Sequence, residues 1–181
     1  MIKRIRWWLV ALLGLAIIGG CQKAGNSGSG ESSSGGGSES SQYLLADEPV
    51  GARGVLEVKG DVKDGDVVLV VGRVGGRVDP FVKGRASFTI VDPSLKSCSD
   101  IPGDNCETPW DYCCEHPNDL ARATLFVKFT DERGKALERD ARELLGIKPS
   151  QTVVVRGKAK RDADGNLTVL ASALYARGNT P

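Results

Sequence analysis

The chain of 181 residues predicts a mainly β domain: a five-stranded barrel with one short helix between its third and fourth strands and a long cysteine-rich insertion between its second and third. Three observations lead there. Five short segments rich in β-branched residues follow one another, the last two separated by a turn, DADGN at 162–166. The apolar period changes from two to three or four only between 131 and 148. Glycine interrupts the longest segment, as it does where a strand bends to serve two sheets of a small barrel.

Taken in order, residues 43–50 form a lead-in against the barrel, and 54–60 (GVLEVKG) fit either a short strand or a turn of helix. Asp64-Gly65-Asp66 marks a turn. Residues 67–74 (VVLVVGRV) are the first barrel strand, broken by Gly72 and followed by Gly75 and Gly76. Residues 86–91 (ASFTIV) alternate as a half-buried second strand, with Ser87 and Thr89 expected outside. The third, 123–130 (ATLFVKFT), puts Ala123, Leu125, Val127 and Phe129 on one face and Phe126 and Lys128 on the other. Leu137, Ala141, Leu144 and Leu145 recur at helical spacing before Gly146, so a helix is expected over 137–145. Residues 152–160 and 167–175 supply strands four and five.

This order, with its kinking glycines, resembles the OB-fold, a five-stranded Greek-key barrel whose helix lies between strands three and four. The resemblance covers 67–175. It implies a ligand face across strands two and three, here Arg73, Arg77, Thr89, Phe126 and Lys128 with Arg156 and Lys158 from strand four. One aromatic among basic side chains is a poor base-stacking platform, so Phe126 is expected to pack under the insertion and the cations to be solvated. Charge agrees. Beyond residue 42 the chain holds 20 basic and 21 acidic side chains, without the excess that phosphate neutralisation demands, so nucleic acid is not an expected partner.

The amino terminus sets the compartment. MIKRIRWWLVALLGLAIIGGC has a basic start, an apolar run over 7–18 and small residues, the build of a secretory signal and too short to span a membrane comfortably. Ile18-Gly19-Gly20-Cys21 resembles the lipobox of bacterial lipoproteins. The resemblance implies cleavage after residue 20, acylation of Cys21 and a stable lipid anchor. Gln22, where an aspartate retains enteric lipoproteins at the inner membrane, favours the outer membrane facing the periplasm. Residues 22–42, nearly all Gly, Ser and polar, are a tether with a reach of about 25 Å. The domain is then 43–181. The whole chain, with TPWDYCC at its centre, is similar to a family of uncharacterised bacterial lipoproteins, a resemblance that implies no activity. A tethered OB barrel also resembles the periplasmic haem chaperone, but the ending LYARGNTP lacks the histidine that attaches haem there.

The insertion, 92–119, holds four of the five cysteines, the one histidine, and seven acids against Lys96, so it is −6 while the rest of the domain is about +5. A segment this long needs something to hold it or some task. Outside the cytoplasm, Cys98, Cys106, Cys113 and Cys114 read first as two disulfides, 98 with 113 and 106 with 114, or 98 with 114 and 106 with 113. The alternative is a metal, zinc or copper(I), for which the four thiols and His116 are soft or borderline ligands, although no C-x-x-C knuckle is present. A thiol-redox pair is a third possibility. His116 by itself is expected to be an exposed loop histidine. Trp110 and Tyr112 are expected to give the loop a small apolar centre, or else an aromatic platform for a sugar or protein. With one histidine and no phosphate loop, no catalytic residue is expected. The expected function is a lipid-anchored envelope module that binds a protein or glycan beside a disulfide-stapled acidic loop, with no obligate cofactor.

Overall fold

The computed structural model describes residues 40–178; the expected signal, Cys21 and nearly all of the tether lie outside the described residues. Among the described residues no helix is long and apolar enough to cross a membrane. In chain order the elements are β1 (Arg53–Gly54), α1 (Val55–Asp61), β2 (Val67–Val74), β3 (Ser87–Val91), α2 (Pro117–Ala123), β4 (Thr124–Phe129), α3 (Ala141–Leu145), β5 (Thr152–Arg161) and β6 (Leu167–Ala176). Strands β2 to β6 run β2-β3-β4-β6-β5, and pairing of β5 with β2 closes the sheet. The β4–β6 pair is parallel and the other four barrel contacts are antiparallel. This is the expected OB-fold-like Greek-key barrel. The short β1 adds a parallel pair on β2.

Alternation decides which side chains fill the barrel. β4 buries Leu125, Val127 and Phe129, and β2 buries Val68, Val70 and Val74. Val153, Val155, Val169 and Leu174 meet them from β5 and β6, and Ala141, Leu144 and Leu145 of α3 join the same core. Asp140 caps α3 by accepting from the Arg142 amide at 2.9 Å. The helix therefore starts later than the apolar spacing predicts, because Leu137 is drawn into pairing with the end of β4, its amide donating to Phe129 O at 3.0 Å. Near Gly157 the β5–β6 register shifts by one residue. A side chain there would collide with the Leu170 carbonyl, so only glycine lets the two strands stay paired through the bend.

Of the two readings of 54–60, the helical one holds over Val55–Asp61, with Gly54 in β1, and the reason lies 36 residues away: Gly54 has no capping side chain, and the Asp92 carboxylate accepts from the Leu56 amide at 2.8 Å in its place. One segment departs from expectation. β3 is buried on both faces. Thr89 Oγ1 donates to Gly75 O at 2.6 Å and its amide donates to Pro80 O at 2.9 Å, because the connection after β2 folds back along β3. Thr89 and Ser87 are thus removed from the outer face.

Burial alone would push the Asp92 carboxyl up, but bonds from the amides of Leu56, Ser94 and Val55 outweigh it and hold the pKa below the ordinary value. A lowered folded-state pKa contributes stability above the unfolded value, and that contribution is lost as pH falls through the folded one. Asp92→Ala is expected to cost about 1 to 2 kcal/mol at neutral pH, as loss of a helix cap does. In urea titrations the difference from wild type should shrink as pH falls through the lowered folded-state pKa, where Asp92 takes up its proton and the charge-assisted part of the cap is lost.

Candidate metal centre

The insertion leaves the barrel at Asp92 and returns through α2. It is docked rather than trailing. The Gly76 amide donates to Trp110 O at 2.8 Å, and side chains at Gly75 or Gly76 would collide with Trp110 O or Val91. The Trp110 indole donates to Val78 O at 2.9 Å. Tyr112, fully buried, packs with Val91, Ala123, Leu95 and Leu120 in a second small core. Its backbone is left-handed, φ 60°, and its buried hydroxyl has no hydrogen-bond partner among the described residues. Burial raises its pKa, and the nearby Arg73 offsets this in part. Tyr112 thus supplies the apolar centre expected of the loop, while Trp110, half-buried, stands outside that cluster and docks through its indole N–H and carbonyl.

Arg73 ties the loop to the wall of the barrel. From β2 its guanidinium donates to Ser97 Oγ at 2.7 Å and to Asp100 Oδ2 at 2.6 Å. Asp100 also accepts from the Ser97 amide and hydroxyl, at 3.1 and 3.0 Å. Arg73 first, and then the Ser97 bonds against a small burial cost, keep the Asp100 carboxyl below the ordinary range. The result is a rigid 3₁₀ turn, Cys98–Asp100, whose first residue is a cysteine, buried to 1 % exposure.

Around Cys98 the other sulfurs converge. Its Sγ lies 3.6 Å from Cys113 and 3.8 Å from Cys114; Cys113 lies 3.8 Å from Cys106 and 3.9 Å from Cys114. No disulfide is formed among them, since a bonded pair stands about 2.05 Å apart. The four cysteines expected to pair stand near one another as free thiols. Thiolates about 2.3 Å from one zinc ion in a tetrahedral site stand about 3.8 Å apart, and four of the six sulfur pairs here have that spacing; Cys106 and Cys114 share no ligand group.

Two carboxylates belong to the cluster. Asp111 groups with Cys98, Cys106 and Cys113, and Asp104 with Cys98 and Cys114, the ligand atoms of each group lying within 4.8 Å of one another. Each has a local task as well: Asp104 accepts from the Cys106 amide and Asp111 from the Cys113 amide, both at 2.9 Å. Thr108 Oγ1 donates to the second oxygen of Asp111 at 2.7 Å. Sulfur neighbours, Cys98 foremost, push the Cys113 thiol well above its usual value, and Cys98 raises the Cys114 thiol as well. A cation that displaces their protons would relieve that crowding.

The remaining candidates are dispersed. His116 stands outside both ligand groups and is more than a loop residue: its Nδ1 accepts from the Asn118 amide at 3.3 Å and caps α2. Arg73 is committed to the loop and Thr89 is buried, so neither serves an outer face. Phe126 and Lys128 are half-buried on β4, beside Thr168 and Leu170 of β6, while Arg77, Arg156 and Lys158 are exposed. Asp104 and Asp111 were missed by counting acids. Their signal is local, since D-x-C occurs twice, at 104–106 and 111–113. No model of a known protein family matches the chain, and no curated protein is similar to it.

If Arg73 holds the Cys98 turn, Arg73→Ala should expose that thiol without unfolding the barrel. In chelator-treated protein, mass-resolved alkylation is expected to reach Cys113 and Cys114 first and Cys98 last. The variant should raise the Cys98 rate by about tenfold while circular dichroism stays unchanged, the melting of one local turn being the cheapest opening available.

Proposed function

We propose that this chain is a lipid-anchored module of the bacterial envelope whose inserted loop binds a soft metal ion, zinc or copper(I), through Cys98, Cys106, Cys113 and Cys114. The observation that carries the metal reading is the approach of the sulfurs of Cys98, Cys106, Cys113 and Cys114, four of whose six pairs stand 3.6 to 3.9 Å apart. Thiolate softness suits both d¹⁰ ions, and the carboxylates of Asp104 and Asp111 add negative charge beside the sulfurs. The OB-fold-like barrel is the rigid wall on which this loop is built. The role is binding rather than catalysis: the chemistry-bearing groups of the insertion are metal donors, and His116 is engaged as a helix cap. The lipobox IGGC and the Gly/Ser tether support attachment to a membrane through Cys21, with the outer membrane facing the periplasm as the favoured location.

Metal analysis of the chain purified with its thiols protected is expected to find about one zinc or copper per molecule, and replacing both Cys98 and Cys113 by serine to abolish it. Cobalt substitution should give the intense near-ultraviolet sulfur-to-metal band of a thiolate-rich tetrahedral site. An intact mass four hydrogens short, with no metal, would mean two disulfides and would sink the proposal.

The anchor is tested apart from the metal. Growth with radiolabelled palmitate should label the wild-type chain and leave Cys21→Ala unlabelled. Labelling that survives the substitution would place the acyl chains elsewhere.

A further inference from the structure

The four sulfurs differ in their access to solvent. Cys98 is buried at the base, Cys106 is half-buried, and Cys113 and Cys114 are exposed. A zinc ion that serves only to hold a fold is enclosed by its ligands and supports a segment with no other core. This loop has other supports. Tyr112 fills its own apolar cluster, Trp110 bonds to the backbone at Gly76 and Val78, and Arg73 and Asp92 tie its first turn to β2 and α1. Even the cysteine amides are held by Asp104 and Asp111. The cage keeps its shape through bonds that do not pass through a metal, and one side of it faces water.

We infer that the centre is an exchange site, handing its ion directly to an incoming soft ligand that approaches over Cys113 and Cys114. The inference rests on the metal-binding reading. In the exchange the incoming thiol bonds to the metal through sulfur as the bond to Cys114 breaks, and the thiol's proton passes to the departing Cys114 sulfur. The same substitution follows at Cys113, then at Cys106 and Cys98, with no change in oxidation state. A pair of thiols on a partner protein matches this chemistry. The acids around the cage, with the insertion at −6, favour a partner whose approaching face is basic.

The test uses the full-length chain in detergent, loaded with one equivalent of zinc and mixed with rising concentrations of the chromogenic chelator pyridylazoresorcinol. Direct exchange requires the transfer rate to rise in proportion to chelator. Cys114→Ser, which keeps three thiolates, should transfer about tenfold faster and keep that proportionality, as weakening one metal bond does. After zinc removal, the near-ultraviolet dichroism of the buried Tyr112 and docked Trp110 should persist. A transfer rate independent of chelator, or loss of that signal on zinc removal, overturns the inference and leaves a structural zinc site. A chain that takes up no zinc or copper overturns the metal reading itself.

Discussion

Arg73 connects the two halves of this protein. It sits near the end of β2, paired with Thr152 on one side and Val91 on the other, so its backbone belongs to the barrel, while its guanidinium belongs to the insertion. A half-exposed ion pair such as Arg73–Asp100 adds about 0 to 1 kcal/mol of stability. Its value lies in position. Ser97, fully buried, accepts from Arg73 and donates to Asp100, and the residue after it is Cys98, the buried sulfur of the group. A strand paired on both sides thereby fixes the position of one sulfur.

The other three sulfurs are placed by shorter-range devices. In both D-x-C segments an aspartate binds the amide of the cysteine two residues on, which turns the chain and presents the thiol. Between them, Tyr112 in the left-handed conformation reverses the backbone, so that its ring enters the small core beneath the loop while its neighbours Asp111 and Cys113 face the cluster. Burying one ring thus orients the residues on either side. The glycine pair after β2 completes the arrangement, because the carbonyl of Trp110 approaches the barrel backbone more closely than any side chain would permit.

Most of the barrel was legible because each strand carries its burial pattern in its own residues, with β-branched side chains alternating inward. The exceptions are informative. β3 looked half-exposed from Ser87 and Thr89, yet the connection at 75–82 covers it, a contact between segments that no local pattern encodes. The helix α1 was ambiguous for the same reason, its cap being the distant Asp92. At the site, the cysteines and Trp110 and Tyr112 stood out by type, whereas Asp104 and Asp111 were lost among seven acids and His116 drew attention for the wrong chemistry.

By itself the sequence determined the class of the domain, the place of the insertion and the identity of the four thiols, because alternation, turn residues and residue chemistry are local properties. What the tertiary structure decided was how those thiols relate. Cys98 and Cys114 are 16 residues apart in the chain and 3.8 Å apart in space, and spacing along a loop says nothing of which sulfurs meet or at what distance. That depends on Arg73, Gly76 and Val78, barrel positions outside the cysteine segment, whose hold on the loop brings its cysteines together.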